Sequence, residues 1–281
     1  LGEHGRTVPH PLSHKAFWRA AAVAGVVVGA IAVGFGTGVI TLDNLSQFTT
    51  GLILIAAVGY FSVMLTSDRV TALERTRVRA FIPLFIANAV FWSLFQQMFT
   101  VLAVYSDERM NWSIFGWTAP SSWIGSVEPV WIILLSPLFA LMWTRLGRRA
   151  PTTPRKFAYG VIGMGCAFLL FLVMAGTTGR SVPVLVVVAI MAVFAVSELL
   201  LSPIGLSVTT QLAPNAFRAQ MMALYFFSVG LGTAMSGVLS KYYDAAHEAA
   251  YFGIIGAAAV VVGLVVWALA PWISRLMEGV H

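Results

Sequence analysis

Apolar residues run along this chain in long uninterrupted stretches rather than in the alternation of a strand or the single stripe of a soluble helix. Eight stretches reach the length of about 20 residues that a helix needs to cross a hydrocarbon layer of about 30 Å. They run approximately over Ala20–Ile40, Phe48–Ser67, Ala80–Val104, Trp123–Trp143, Phe157–Ala175, Val182–Leu206, Gln220–Leu239 and Tyr251–Ile273. Continuous apolar runs exclude a transmembrane β-barrel, whose strands alternate. The predicted fold class is an all-α membrane protein with eight transmembrane helices. Residues 1–16 hold no apolar core of signal-peptide length, and the chain opens on Leu1 rather than methionine. We read it as part of a longer protein.

Composition agrees. Of 281 residues, 59% are hydrophobic and 10% charged, with a mean hydropathy of +0.86. A soluble domain carries about 25% charged residues, so a soluble enzyme is excluded. The single cysteine, Cys166, lies in an apolar run and has no intrachain partner for a disulfide. The formal charge of +6 is assigned to cytoplasmic loops rather than to nucleic-acid binding, because no basic stripe with interleaved aromatics occurs. Fourteen lysines and arginines fall on one set of loops, and only Arg109, Arg180 and Lys241 on the other. This asymmetry places both termini in the cytoplasm. Trp18, Trp143 and Trp272 stand near span ends, where interfacial rings are expected.

The first two spans differ from the rest. They contain no ionisable residue, are joined by the lysine- and arginine-free turn Thr41–Thr50, and carry Gly25-xxx-Gly29 and Gly34-xxx-Gly38. They read as a peripheral helical hairpin. The predicted division is a tail, hairpin and basic linker over 1–77 and a six-helix bundle over 78–281.

Polar groups inside the spans are the candidate site, since a charge at the bilayer centre costs at least about 2.5–3.5 kcal/mol. Glu198 lies deep in the sixth span, one turn before Ser202 on the same face, with Pro203 expected to kink the helix. No lysine or arginine lies at comparable depth, so an internal ion pair is not the expected role. Glu128 stands near the outer end of the fourth span, where it is either a solvated span-end carboxylate or part of the site. Asn88, Trp92 and Gln96, at i, i+4 and i+8, form one face of the third span, with Gln97 beside them. That face either lines a cavity or bonds to a neighbouring helix. All five histidines fall outside the spans, and no hydrolytic, redox or metal motif occurs, so no cofactor, metal or enzymatic activity is expected.

Several stretches resemble the proton-dependent oligopeptide transporter family of the major facilitator superfamily. Phe81-Ile-Pro-Leu-Phe-Ile-Ala-Asn-Ala-Val-Phe-Trp-Ser-Leu-Phe-Gln-Gln is similar to its seventh helix, and Ser126-Val-Glu-Pro129 with Ser136-Pro137 to its eighth. Lys156-Phe-Ala-Tyr-Gly160 resembles the start of its ninth. Ser197-Glu-Leu-Leu-Leu-Ser-Pro-Ile-Gly-Leu-Ser207, running to Leu212-Ala-Pro214, resembles its tenth, and Met221-Met-Ala-Leu-Tyr225 its eleventh. The match covers about residues 78–240 in order. The resemblance implies a hairpin plus the C-terminal bundle of a transporter whose N-terminal six-helix bundle is missing from this chain.

It further implies proton-coupled symport of di- and tripeptides across a bacterial cytoplasmic membrane. Glu198 would receive the peptide ammonium, with Glu128, Tyr225, Ser202, Asn88 and Trp92 around it, and Glu198, Gln96 and Glu128 would couple protons or gate. Three positions depart from the family pattern: Glu128 for asparagine, Gln96 for a gating glutamate, and Tyr225 for tryptophan. Alternatives are another cargo, such as nitrate, a glucoside or a drug-like molecule, and a non-transporting scaffold or incomplete half.

The charge asymmetry makes one direct test of topology. Cysteines substituted at Arg75 and Arg148 should react with an impermeant thiol reagent from the cytoplasmic side only; labelling of both from outside would reverse the orientation.

Overall fold

A computed structural model describes residues 13–278 except Phe115 and Thr178. Arg6, His4, His10 and His281 lie outside the described residues. The chain divides into two compact units, the first ending at Phe48 and the second beginning at Thr49. In the first, α1 (His14–Gly36) ends in a turn that Gly38 makes possible with φ +74°. Asn44 closes that turn, donating from Nδ2 to the Val39 carbonyl at 2.9 Å and accepting the Thr41 N–H at 2.8 Å. The next helix, α2 (Leu45–Thr66), starts directly after it.

The second unit holds the rest of α2 and seven more helices. These are α3 (Ala72–Phe95), α4 (Val101–Arg109), α5 (Ile124–Leu146), α6 (Thr153–Leu170), α7 (Val184–Leu212), α8 (Arg218–Leu239) and α9 (Glu248–Leu276). Short strands lie between them: β1 (Met110–Asn111) pairs in parallel with β4 (Val182–Pro183), and β2 (Ser113–Ile114) pairs with β3 (Trp117–Thr118). Among the described residues, eight helical segments are long and apolar enough to cross a membrane, α3 and α4 counting as one. The eight stretches read from the sequence each fall on one of them.

Two local features differ from the sequence reading. The third span begins at Ala72, eight residues before its apolar run, because Thr71 and Glu74 form a reciprocal capping box that satisfies the first free amides. Arg75, Arg77 and Arg79 therefore stand on the first turns of a helix rather than in a loop. The same span breaks at Gln96–Phe99, a single 3-10 turn, and Thr100 (φ −118°, ψ −90°) resets the chain before α4. By contrast α7 stays helical through Pro203, where a kink is expected.

Water drives helices into a bilayer but does not hold them together there, so the bundle depends on close packing and on buried polar bonds. α6 and α9 approach each other closely. A methyl group on Gly165 would lie 2.7 Å from the Gly256 carbonyl, and one on Gly256 would lie 2.9 Å from the Gly165 carbonyl. A methyl on Gly263 would lie 3.0 Å from the Ile162 nitrogen. Above this contact Phe171 stacks on Phe252 with ring centres 4.7 Å apart, and Tyr105 of α4 meets both edge-on. Within the second unit α2 lies against α3 and α8, with Phe61 on Phe85 and Tyr60 on Phe227. Its remaining surface is mostly exposed, as a peripheral span requires.

The glycine contact sets an expectation. Gly256→Val should separate α6 from α9 and destabilise the fold by about 1–3 kcal/mol, read as a lower melting temperature in detergent, whereas Gly253→Val, with only the Leu172 side chain nearby, should be nearly silent. Equal loss in both variants would refute the packing role.

Candidate functional site

Four of the candidate residues meet across α5, α7 and α8. Glu128 lies in the second turn of α5 and is 4% exposed, and its Oε1 has no hydrogen-bond partner. Glu198, half-buried in the middle of α7, lies close to Glu128. Trp131 holds the two helices in register, donating from Nε1 to the Val188 carbonyl at 2.9 Å. One turn along α7, Ser202 lies near the hydroxyl of buried Tyr225 on α8. The Tyr225 ring fits because position 205 is glycine: a methyl group there would lie 2.9 Å from its Cε2. Among the described residues neither carboxyl enters a salt bridge. An apolar recess of about 410 Å³ opens between α5 and α7, lined by Trp112, Trp123, Val127, Trp131 and Val184 among others.

The third-span residues form a second group against α8. Asn88 Nδ2 donates to Ser228 Oγ at 2.6 Å, and that hydroxyl donates to the Tyr225 carbonyl at 2.6 Å. Gln96 Nε2 donates to Thr233 Oγ1 at 3.0 Å. Between them Trp92 crosses Gly232, where a methyl would lie 2.6 Å from the Trp92 Cβ. The face predicted to be polar thus bonds to a neighbouring helix. It reaches the carboxyl group only through Ser228 and the backbone at Tyr225. Two atoms stay unmatched: Asn88 Oδ1 and Trp92 Nε1 are buried without partners. Gln97 faces elsewhere, accepting from Tyr251 Oη at 3.1 Å and Thr100 Oγ1 at 3.2 Å, and stabilises the helix break.

Two networks were not foreseen from the sequence. At the basic end, Glu74 Oε1 accepts the Asn215 N–H at 2.9 Å and its Nδ2 at 3.1 Å, and Arg218 donates to Asn215 Oδ1 at 2.6 Å. The start of α3 is thereby tied to the loop after α7. At the opposite end Arg109 pairs with Glu248 at 2.7 Å, with side chains only 14% and 8% exposed, and Arg109 also donates to the Thr177 carbonyl. Burial, then the Glu248 and Glu108 carboxylates, push the nearby Tyr243 hydroxyl above its ordinary range. Arg109, one of only three basic residues that the sequence puts on that side with Arg180 and Lys241, was the available signal.

The chemistry open to the first group is narrow. Two carboxyls with no nearby cation can take protons or a cationic ligand; among the described residues no metal-binding cluster occurs. Comparison with known proteins follows the same line. The sequence profile of the POT family matches residues 22–261. An uncharacterized transporter, YclF, from Bacillus subtilis (strain 168) is 39% identical over 284 aligned residues, covering 100% of this chain and 57% of its own. A di-/tripeptide transporter from Lactococcus lactis subsp. cremoris is 35% identical, covering 85% of this chain and 50% of its own. A crystal structure of a peptide transporter POT in complex with sulfate superposes with a TM-score of 0.89 at 41% identity, over 97% of this chain and 56% of that one. The chain spans about half the length of the curated relatives it matches. From its multi-pass helical architecture, its sequence profile and these relatives, the chain belongs to the POT family of transporters.

Proposed function

We propose that this chain is the C-terminal half of a secondary transporter that moves di- and tripeptides with protons across a bacterial cytoplasmic membrane by alternating access. The observation that carries the reading is the pair of carboxyls, Glu128 and Glu198, with no cation beside them, in a chain whose relatives include di-/tripeptide transporters. The N-terminal six-helix bundle completes the cavity, and both ends of this chain lie in the cytoplasm. The functional division follows residues 1–77, the tail and first two spans with their linker, and 78–281, the transport bundle.

Glu198 receives the peptide ammonium, and Ser202 and Tyr225 flank it. The recess lined by Val127, Trp131 and Val184 accommodates an apolar peptide side chain. Asn88 and Trp92 act at the wall of the cavity through α8, each with one buried polar atom still to be matched. Gln96 supplies no charge, so gating by a third-span carboxylate is replaced by Glu128. Burying a carboxyl is cheaper when it is protonated, and an ammonium beside it reverses that preference. Proton and peptide are thereby linked at one group.

Glu198→Gln in the full-length protein tests this. The substitution keeps size and hydrogen-bonding capacity but removes the charge. A charge-assisted contact contributes about 1.5–3 kcal/mol, so peptide affinity should fall roughly 10- to 150-fold and concentrative uptake should be lost. The melting temperature should hold, because a neutral amide is cheaper to bury. Wild-type uptake with a lowered melting temperature would instead make Glu198 a packing residue, and uptake of only uncharged or anionic cargo would replace the peptide.

A further inference from the structure

Where α5 ends, α6 begins and α7 ends, the three helices enclose a recess that the transport site does not use. Its volume is about 250 Å³, and Trp143 of α5, Thr153 and Lys156 of α6, and Leu199, Ser207 and Gln211 of α7 line it. The recess faces away from the carboxyls. Ser207 follows Glu198 by nine residues, about two and a half turns of helix, so the two side chains leave opposite faces of α7.

Its walls grade from polar to apolar. At the rim the Lys156 ammonium lies 4.3 Å from the centre of the Trp143 ring and enters no salt bridge among the described residues. On the α7 wall Gln211 Nε2 donates to Ser207 Oγ at 3.1 Å. Leu199 stands eight residues before Ser207, about 12 Å deeper along the helix. On the α5 wall Phe139 meets Trp143 edge-on, one turn further into the apolar run. The charge around the recess has one sign. From Pro129 to Ser197 the sequence holds no aspartate or glutamate, while Arg145, Arg148, Arg149, Arg155 and Lys156 crowd the segment that joins α5 to α6. Arg145, Arg149 and Arg155 are exposed. Past Gln211, Glu74 is taken up by Asn215. A basic loop alone is what any multi-spanning chain shows. The addition here is a lysine built into the wall of an amphipathic recess.

We propose that this recess binds an anionic phospholipid, with the headgroup phosphate at Lys156 and an acyl chain along Leu199 and Phe139. Lys156 supplies a fixed positive charge at headgroup level, and Trp143 beside it is an interfacial ring of the kind found there. The exposed arginines add attraction from the water side without fixing geometry. A soluble phosphate would use only the polar half of the recess and leave Leu199 and Phe139 uncovered, whereas a lipid covers both halves. A zwitterionic lipid brings its own cation toward the lysine and loses the advantage. A lipid seated here bridges α5 and α6 on the face opposite Glu198, so the proposal does not depend on which cargo the carboxyls receive.

Native mass spectrometry of the full-length transporter, titrated in detergent with dioleoylphosphatidylglycerol, dioleoylphosphatidylcholine or glycerol 3-phosphate, tests this. Phosphatidylglycerol should bind more tightly than phosphatidylcholine, and glycerol 3-phosphate should not displace it. K156Q should weaken phosphatidylglycerol roughly fivefold and leave phosphatidylcholine unchanged, and K156R should restore most of the difference. S207W, at an exposed position, should fill the recess and weaken phosphatidylglycerol with the lysine intact. R180Q removes an exposed cation at the other end of the bundle and should change nothing. Equal affinity for the two lipids, undiminished phosphatidylglycerol binding in either K156Q or S207W, or an equal loss in R180Q overturns the site. If K156Q does not fold, S207W decides alone. Displacement of the lipid by glycerol 3-phosphate overturns the lipid and leaves a pocket for a soluble anion.

Discussion

Inside a bilayer a polar group has no water to fall back on, and every donor or acceptor must be matched by the protein or remain a cost of several kcal/mol. That constraint divides the polar residues of this chain into two kinds. Asn88, Gln96, Gln97, Ser228, Thr233 and Tyr251 find partners on neighbouring helices, and their bonds hold α3, α8 and α9 together. Glu128 and Glu198 meet no cation among the described residues, and one Glu128 oxygen has no partner. A bundle that could have placed alanines there instead retains two acids, and the chemistry of the chain collects at that exception.

The backbone shows the same economy. Since hydrophobic burial does not distinguish lipid from a neighbouring helix, α6 and α9 gain their contact by letting backbones touch at Gly165, Gly256 and Gly263. Gly232 does the same for α8 against the Ala89 carbonyl of α3 while also making room for Trp92, and Gly205 clears a path for the Tyr225 ring. The break at Gln96–Phe99 frees amides that would be costly in hydrocarbon, and the side chain of Gln97, reached by Thr100 and Tyr251, fixes the chain around it.

Much of this was legible in the sequence. Spans of about 20 apolar residues announce themselves, and a carboxylate such as Glu198 stands out against Val193-Phe-Ala-Val. The helical period correctly put Asn88, Trp92 and Gln96 on one face. It does not say which helix that face meets, because the partners Ser228 and Thr233 are 140 and 137 residues away. The same limit hid Arg109–Glu248, 139 residues apart, and the proximity of Glu128 to Glu198. Span ends were drawn short for a local reason. Hydropathy stops at the first arginine, whereas a capping box carries the helix on through Arg75, Arg77 and Arg79.

The two departures at positions 96 and 128 make sense together only once the fold is known. Read along the chain, they are an acid lost from one span and an acid gained in another. Gln96 sits at the end of α3 and is satisfied by Thr233, so a carboxylate there would face a hydroxyl that can donate only one bond. Glu128 sits on α5 against Glu198, where a second acid changes the chemistry of the first. An asparagine at 128 could donate to Glu198 and leave it permanently charged. A glutamate can donate only while it carries a proton. The substitution therefore exchanges a fixed hydrogen-bond donor for a titratable group close to Glu198.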